Sequence, residues 1–235
     1  MAIPRPIRLV ALCLAAVLAG CAYAPGDVDN PLTRRVTWFS FIAGDDLRAD
    51  CRSGAPDRFR LVYNGNWDEQ VRIYELGLRG ERTLDARVID RPSLSEIALD
   101  DPLAPWRGKS VSTELSPAEY DRLLRDLEAS GAYRSPAETL TLASNQFYWT
   151  AASCHGGVFH LTAWLYPSEA FARATFPAWL GAVDLTGVPF NPPRPWEQVR
   201  SPPWGTTGEP TFIARPQAPW TIGIAQDALV SRVIF

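Results

Sequence analysis

Two aromatic runs lying close together, FYWTAASC at 147–154 and VFHLTAWLY at 158–166, constrain the fold of this chain more than any other feature. Aromatic and β-branched residues suit the pleated surface of a sheet. Only His155, Gly156 and Gly157 separate the runs, and glycine accepts the positive φ that a tight turn between strands needs. The pair predicts an antiparallel hairpin, expected at the centre of a sheet. A second hairpin is expected from RFRLVYN at 58–64 and QVRIYELGL at 70–78, with Trp67 at the tip of the loop between them. Further strands are expected at 36–43 (VTWFSFIA, stopped by Gly44-Asp45-Asp46), at 82–90 and at 109–115.

Helical signals are fewer. Ser116, Pro117 and Glu119 supply an N-cap, a first-turn proline and the acid of a capping box, after which Tyr120, Leu123, Leu124 and Leu127 share one face up to Gly131. That predicts a helix at about 117–130. SEAFARATFPAWLGAVDL predicts two short helices near 168–184, interrupted at Pro177. The fold class is therefore α+β, a mostly antiparallel sheet of hairpins packed by these helices. From 187 to 220 prolines recur too often for a helix or central strand, yet Phe190, Trp196, Trp204, Phe212 and Trp220 ride among them, which predicts an extended arm on the body. A last strand is expected within 221–235.

Residues 1–20 carry Arg5 and Arg8, then an apolar run from Leu9 to Ala19, the pattern of a secretory signal. The run is too short to span a bilayer comfortably, which takes about 20 apolar residues. Leu18, Ala19, Gly20 and Cys21 resemble the lipobox of bacterial lipoproteins. The resemblance implies cleavage before Cys21, a diacylglyceryl group on its thiol, and attachment to a membrane without crossing it. Ala22, where inner-membrane lipoproteins tend to carry Asp, implies the outer membrane, facing the periplasm. Residues 21–35, broken by Pro25, Gly26 and Pro31, read as a tether, followed by a single domain at 36–186. Extended, a dozen tether residues would hold that domain about 40 Å from the lipid.

Of four cysteines, Cys13 leaves with the signal and Cys21 takes lipid, which leaves Cys51 and Cys154 in an oxidising compartment. A disulfide between them is expected, the alternative being two buried thiols. The net charge is −3, and loss of Arg5 and Arg8 makes the remainder more acidic, so nucleic acid is excluded as a partner. Lys109 is the only lysine, and in so arginine-rich a chain Arg58, Arg60, Arg72, Arg87 and Arg91 read as a solvated sheet face rather than as a site for carboxylates or phosphates.

Chemistry-bearing clusters are sparse. His155-Gly156-Gly157 resembles an esterase oxyanion segment, but no G-x-S-x-G elbow accompanies it. Cys154, His155 and His160 are zinc-type donors, yet successive strand residues point to opposite faces, so neither metal nor cofactor is expected. Asp45-Asp46 and Asp100-Asp101 lack calcium-loop spacing and read as solvated. Trp67, between Asn66 and Asp68, is the candidate partner-binding residue, as an indole that stacks on a sugar or enters a partner's pocket, or else folds back onto the sheet. The expected function is non-enzymatic binding of an envelope protein or polymer from a membrane-anchored position. The alternative is a periplasmic enzyme acting on envelope glycans or lipids, which requires two carboxylates, or His155 or His160 with an acid, to converge in a deep pocket. Mass spectrometry should find diacylglyceryl on Cys21, and Cys21→Ala should move the protein to the aqueous phase on detergent partitioning; an unmodified amino terminus excludes the anchor.

Overall fold

A computed structural model describes residues 22–91, 99–195 and 219–234. Residues 1–20, Cys21, and the part of the arm carrying Trp196, Trp204 and Phe212 lie outside the described residues. Among the described residues six α-helices and nine strands make an α+β fold: α1 Pro31–Ala43, α2 Asp45–Arg52, β1 Arg58–Gly65, β2 Gln70–Leu76, β3 Thr83–Asp90, α3 Ala104–Arg107, β4 Lys109–Glu114, α4 Pro117–Ala129, β5 Leu140–Ala143, β6 Phe147–His155, β7 Val158–Leu165, α5 Glu169–Arg173, α6 Phe176–Val183, β8 Trp220–Ala225 and β9 Ala228–Ile234. The main sheet is antiparallel, in the order β4-β3-β2-β1-β6-β7, and β5-β8-β9 form a smaller one.

Both faces of the main sheet are covered. One face sends Phe59, Leu61, Tyr74, Leu76 and Trp149 against Leu123 and Leu127 of α4 and Phe176 and Leu180 of α6. The other sends Val62, Val71, Ile73 and Tyr148 against Trp38, Phe41 and Ile42 of α1, Leu47 of α2, and Trp220, Ile222 and Ile224 of the small sheet. Every residue of β1 and β2 is consequently buried. The capping box at Ser116 and Glu119 is formed, and a disulfide joins Cys51 of α2 to Cys154 of β6. Closing a 103-residue separation restricts the unfolded chain by roughly 4 to 5 kcal/mol in the chain-entropy model.

Several expectations are corrected. Residues 36–43 are not a strand but the larger part of α1. Asn30 caps its start by accepting the Leu32 N–H, Pro31 sits in its first turn, and Gly44 ends it at φ 67°. Arg34, Thr37, Trp38, Phe41 and Ile42 then fall at helical spacing on the buried face, and burying each large apolar side chain stabilises by roughly 1.5 to 3 kcal/mol, which outweighs the β propensity of the segment. Gly44 cannot carry a side chain, since its Cβ would lie 2.5 Å from that of Ala152. The tether reading fails with it, because residues 22–35 lie on the body and Tyr23 and Val28 are buried in the core. The 147–166 hairpin turns on Gly156 and Gly157 at φ 58° and 75° as expected, but β7 is an edge strand and β1–β2 occupy the centre. The last strand is a hairpin whose turn residues, Gln226 and Asp227, take φ 51° and 56° without glycine. The arm does follow the body over 187–195, where Phe190 stacks on Tyr63 at 4.5 Å and Asn191 bonds Gln70, Gly65 and Glu69.

The largest correction concerns the arginines. Arg60 is 1% exposed and Arg72 is 2% exposed, on opposite faces of the sheet. Arg60 lies directly across from Glu75 in the β1–β2 register and donates to it at 2.8 and 3.0 Å. It also donates to both carboxylate oxygens of Asp46 at 2.8 Å and to the Phe41 carbonyl at 2.9 Å, which at the end of α1 also accepts the Gly44 N–H. The Phe41 ring covers its guanidinium at 3.9 Å. Burial alone would pull Arg60 towards deprotonation, but Glu75 and Asp46 overcome it and hold the group above the ordinary arginine value. Arg58, beside it, reaches Asp46 and Asp50. Asp46 is therefore not a solvated loop acid.

On the other face Arg72 donates to Asp184 at 2.6 Å and to the Val188 carbonyl, which pins the chain after α6 to β2. Burial raises the Asp184 carboxyl, but hydrogen bonds from Thr186 and Tyr74 and the Arg72 charge bring it below its ordinary 3.8. A carboxylate lowered in the folded state adds stability that is complete above its unfolded value and is lost as pH falls through the folded one.

Two outcomes follow. Arg60→Ala, which strands Glu75 and Asp46 in the core, should lower unfolding free energy by roughly 3 to 5 kcal/mol in urea titration, while Arg60→Met should cost less than Arg60→Ala. Between about pH 5 and about pH 3 the native protein should lose more unfolding free energy than Asp184→Asn, which begins less stable.

Candidate functional site

The residues that place Trp67 are local. Asn66 takes φ 64°, a left-handed conformation that asparagine tolerates, and turns the chain out of β1. The Trp67 N–H then donates to the Ser144 carbonyl at 2.8 Å, which ties the hairpin tip to the loop before β6. The indole is half-buried, edge-on to Trp38 at 4.9 Å and to Trp220 at 5.6 Å. Of the two alternatives for Trp67, the ring thus packs one side on the body and leaves the other at the surface. Asn66 is buried, and its amide donates to Glu69. Asp68 is exposed.

The accessible side of Trp67 borders a cleft of about 340 Å³. Trp106 of α3 supplies a second indole, Val71 and Ile89 an apolar floor, and Arg34, Arg35, Arg91, Asp68 and Asp90 the charges. Trp106 reaches this place because α3 ends on Gly108 at φ 77°, where the backbone passes so close to Val88 that a Cβ would lie 2.2 Å from its carbonyl oxygen. Arg91 is held to the hairpin tip by donating from Nε to the Asp68 carbonyl at 2.9 Å.

Arg34 is the unusual member. It is 8% exposed, and its terminal nitrogens donate to two neutral carbonyls, those of Val28 at 3.3 Å and Trp106 at 2.5 Å. Among the described residues it forms no ion pair, unlike the deeper arginines. Burial first, and then the like charge of Arg87, draw its pKa down to about 10 against the pull of Asp29. A nearly buried cation without a counter-ion, lining a cleft with two indoles, suits an anion that also presents a flat ring or apolar face. Three guanidiniums face two carboxylates there, both at the exposed rim.

The histidines are brought near each other but to different acids. His155 Nδ1 lies 2.5 Å from Asp57 Oδ2, while Asp57 Oδ1 accepts the Gly156 N–H at 2.9 Å, so one carboxylate clasps the whole turn. His160 Nδ1 lies 3.6 Å from Asp227, beyond hydrogen-bond range, and Tyr133 stacks on His155 at 4.6 Å. A histidine does meet an acid, as catalysis would require, but neither histidine lines this cleft. No group of three or more metal-binding side chains occurs among the described residues. No helix among them is long and apolar enough to cross a membrane.

Trp67 and Asp68 were legible in the sequence, and Arg91 was grouped with arginines that the fold sends elsewhere. Arg34 and Arg35 carry no such mark in the sequence, where their segment has the composition of a tether. The Asn30-Pro31 cap followed by apolar residues at helical spacing was the signal that would have found them. No family model, curated protein or solved structure matches this chain.

Proposed function

We propose that this chain is a lipid-anchored protein of the bacterial cell envelope that binds, without chemical conversion, an anionic glycan polymer in the cleft between Trp67 and Trp106. The carrying observation is Arg34, a buried guanidinium at the cleft with only neutral carbonyls as partners. A carboxylate or phosphate on the ligand would supply the missing counter-charge, and Arg35 and Arg91 would add to it from the rim. The indoles offer faces on which a sugar ring stacks while its hydroxyls stay solvated.

The lipobox resemblance at Cys21 supports a cell-envelope location, where such polymers are abundant. Against the enzyme reading stands the use of the His155–Asp57 pair, whose carboxylate is spent on holding its own turn.

Purified native protein should co-sediment with isolated cell-wall sacculi. The double variant Arg35→Glu, Arg91→Glu, at two exposed positions, should weaken that binding by roughly fivefold to tenfold or more, about 1 to 1.4 kcal/mol, with an unchanged circular dichroism spectrum. Equal binding by native protein and variant overturns the cleft as the site.

A further inference from the structure

The attachment point leaves the body no slack. Ala22 borders a cavity of about 390 Å³ beside Phe39, Ser40 and Ala43 of α1 and Leu229 and Arg232 of β9. The next residue is already fixed. Tyr23 donates its N–H to Ser40 Oγ at 3.0 Å, and its ring is 6% exposed, edge-on to Phe41 at 4.8 Å. Consecutive Cα atoms are 3.8 Å apart, so residue 21 lies within about 8 Å of an immobilised core residue. A lipid on Cys21 would bring this face of the body against the bilayer.

The face is built for that contact. Along one side of α1, Leu32 and Val36 are exposed, and at the same helical spacing the partly buried Phe39 and the buried Ala43 continue the apolar line to the cavity at Ala22. Leu32 is 67% exposed and Val36 59%, which no contact within the body explains. Ile234 of β9 pairs with Trp220, whose ring packs on Phe39, so its side chain joins the same region at 67% exposure. Arginines flank the apolar stripe: Arg35 on α1 and Arg232, whose guanidinium lies 5.4 Å from the Phe39 ring centre, while Arg48 of α2, at the cavity, donates to the Asp227 carbonyl and lies over the Phe159 ring. The acid at the cavity, Asp45, accepts a hydrogen bond from Ser40. Apolar side chains with a basic flank match the interfacial zone of a membrane, where acyl chains meet phosphates.

We propose that the α1–β9 face docks on the membrane that carries the lipid anchor, with Leu32, Val36 and Ile234 in the interfacial zone and Arg35 and Arg232 on lipid phosphates. This rests on the anchor at Cys21, and it replaces a body held away on a tether by one lying on the bilayer. The cleft of Trp67, which shares Arg35 with this face, then opens beside the membrane surface.

The test uses the full lipidated protein in phosphatidylglycerol-containing vesicles. With Cys51 and Cys154 joined and Cys21 in thioether linkage, Val36→Cys supplies the only reactive thiol of the mature chain for an environment-sensitive fluorophore. Arg122→Cys, exposed on α4 on the opposite face of the sheet, is the control. Nitroxide lipids quenching at the roughly 5 to 10 Å depth of an interfacial helix should quench the Val36 label about twice as strongly as the Arg122 label, or more. Vesicle-bound protein with both labels equally unquenched overturns the docking face and leaves the anchor standing. A Val36 label shielded from aqueous iodide yet untouched by lipid nitroxide means that a second copy covers the face, and also overturns the proposal. An unmodified amino terminus in the mass spectrum removes anchor and docking together.

Discussion

A cation cannot be left bare between two packed layers, and Arg60 sits between the main sheet and α1–α2. Its demand for partners assembles that side of the molecule. Glu75 comes from the neighbouring strand, Asp46 from the first turn of α2, and the Phe41 carbonyl from the last turn of α1. The sharp turn at Gly44 places these two helix ends together, and the disulfide from Cys51 holds α2 against β6. Arg72 plays the corresponding part on the other face, gathering Asp184 and the Val188 carbonyl and so seating the segment after α6. The layers are joined as much by placed charge as by apolar area.

Against these two, Arg34 stands apart. It is as buried as Arg58, but its hydrogen bonds end on neutral carbonyls, and the same burial that Arg58, Arg60 and Arg72 offset with carboxylates here lowers its proton affinity. A fold that pairs its internal cations elsewhere leaves this one at a cleft with two indoles. The contrast between guanidiniums paired with carboxylates and one held by carbonyls, more than the presence of arginine as such, distinguishes this cleft.

The amino-terminal segment carries the second consequence of packing. Because Tyr23 and Val28 contribute to the core, the residues that looked like a spacer are part of the body. The proposed membrane attachment at the adjoining cysteine would then determine an orientation as well as a location. The same helix, α1, has one side in the core, one bordering the cleft and one on which Leu32 and Val36 are exposed, so it links the fold to the proposed binding site and the proposed docking face.

What the chain's local pattern settled by itself was the class of fold and most of its pieces. The hairpin turning on Gly156 and Gly157, the capped helix at Ser116 and the pairing of Cys51 with Cys154 depend on nearby residues or on simple elimination. What needed the tertiary structure was everything decided by partners far along the chain. VTWFSFIA has strand composition and becomes helix because Trp38, Phe41 and Ile42 gain a buried face only at helical spacing. Arg60 and Arg72 look solvated because alternation in a strand tells the two faces apart but not whether a second layer covers the polar one. The cleft, finally, joins residues 31–35, 67–71, 89–91 and 106, brought together by the crossing of a helix, a hairpin tip and a short turn. Local chemistry specifies conformation a few residues at a time, whereas burial and the placing of charges are properties of surfaces that exist only once distant segments have met.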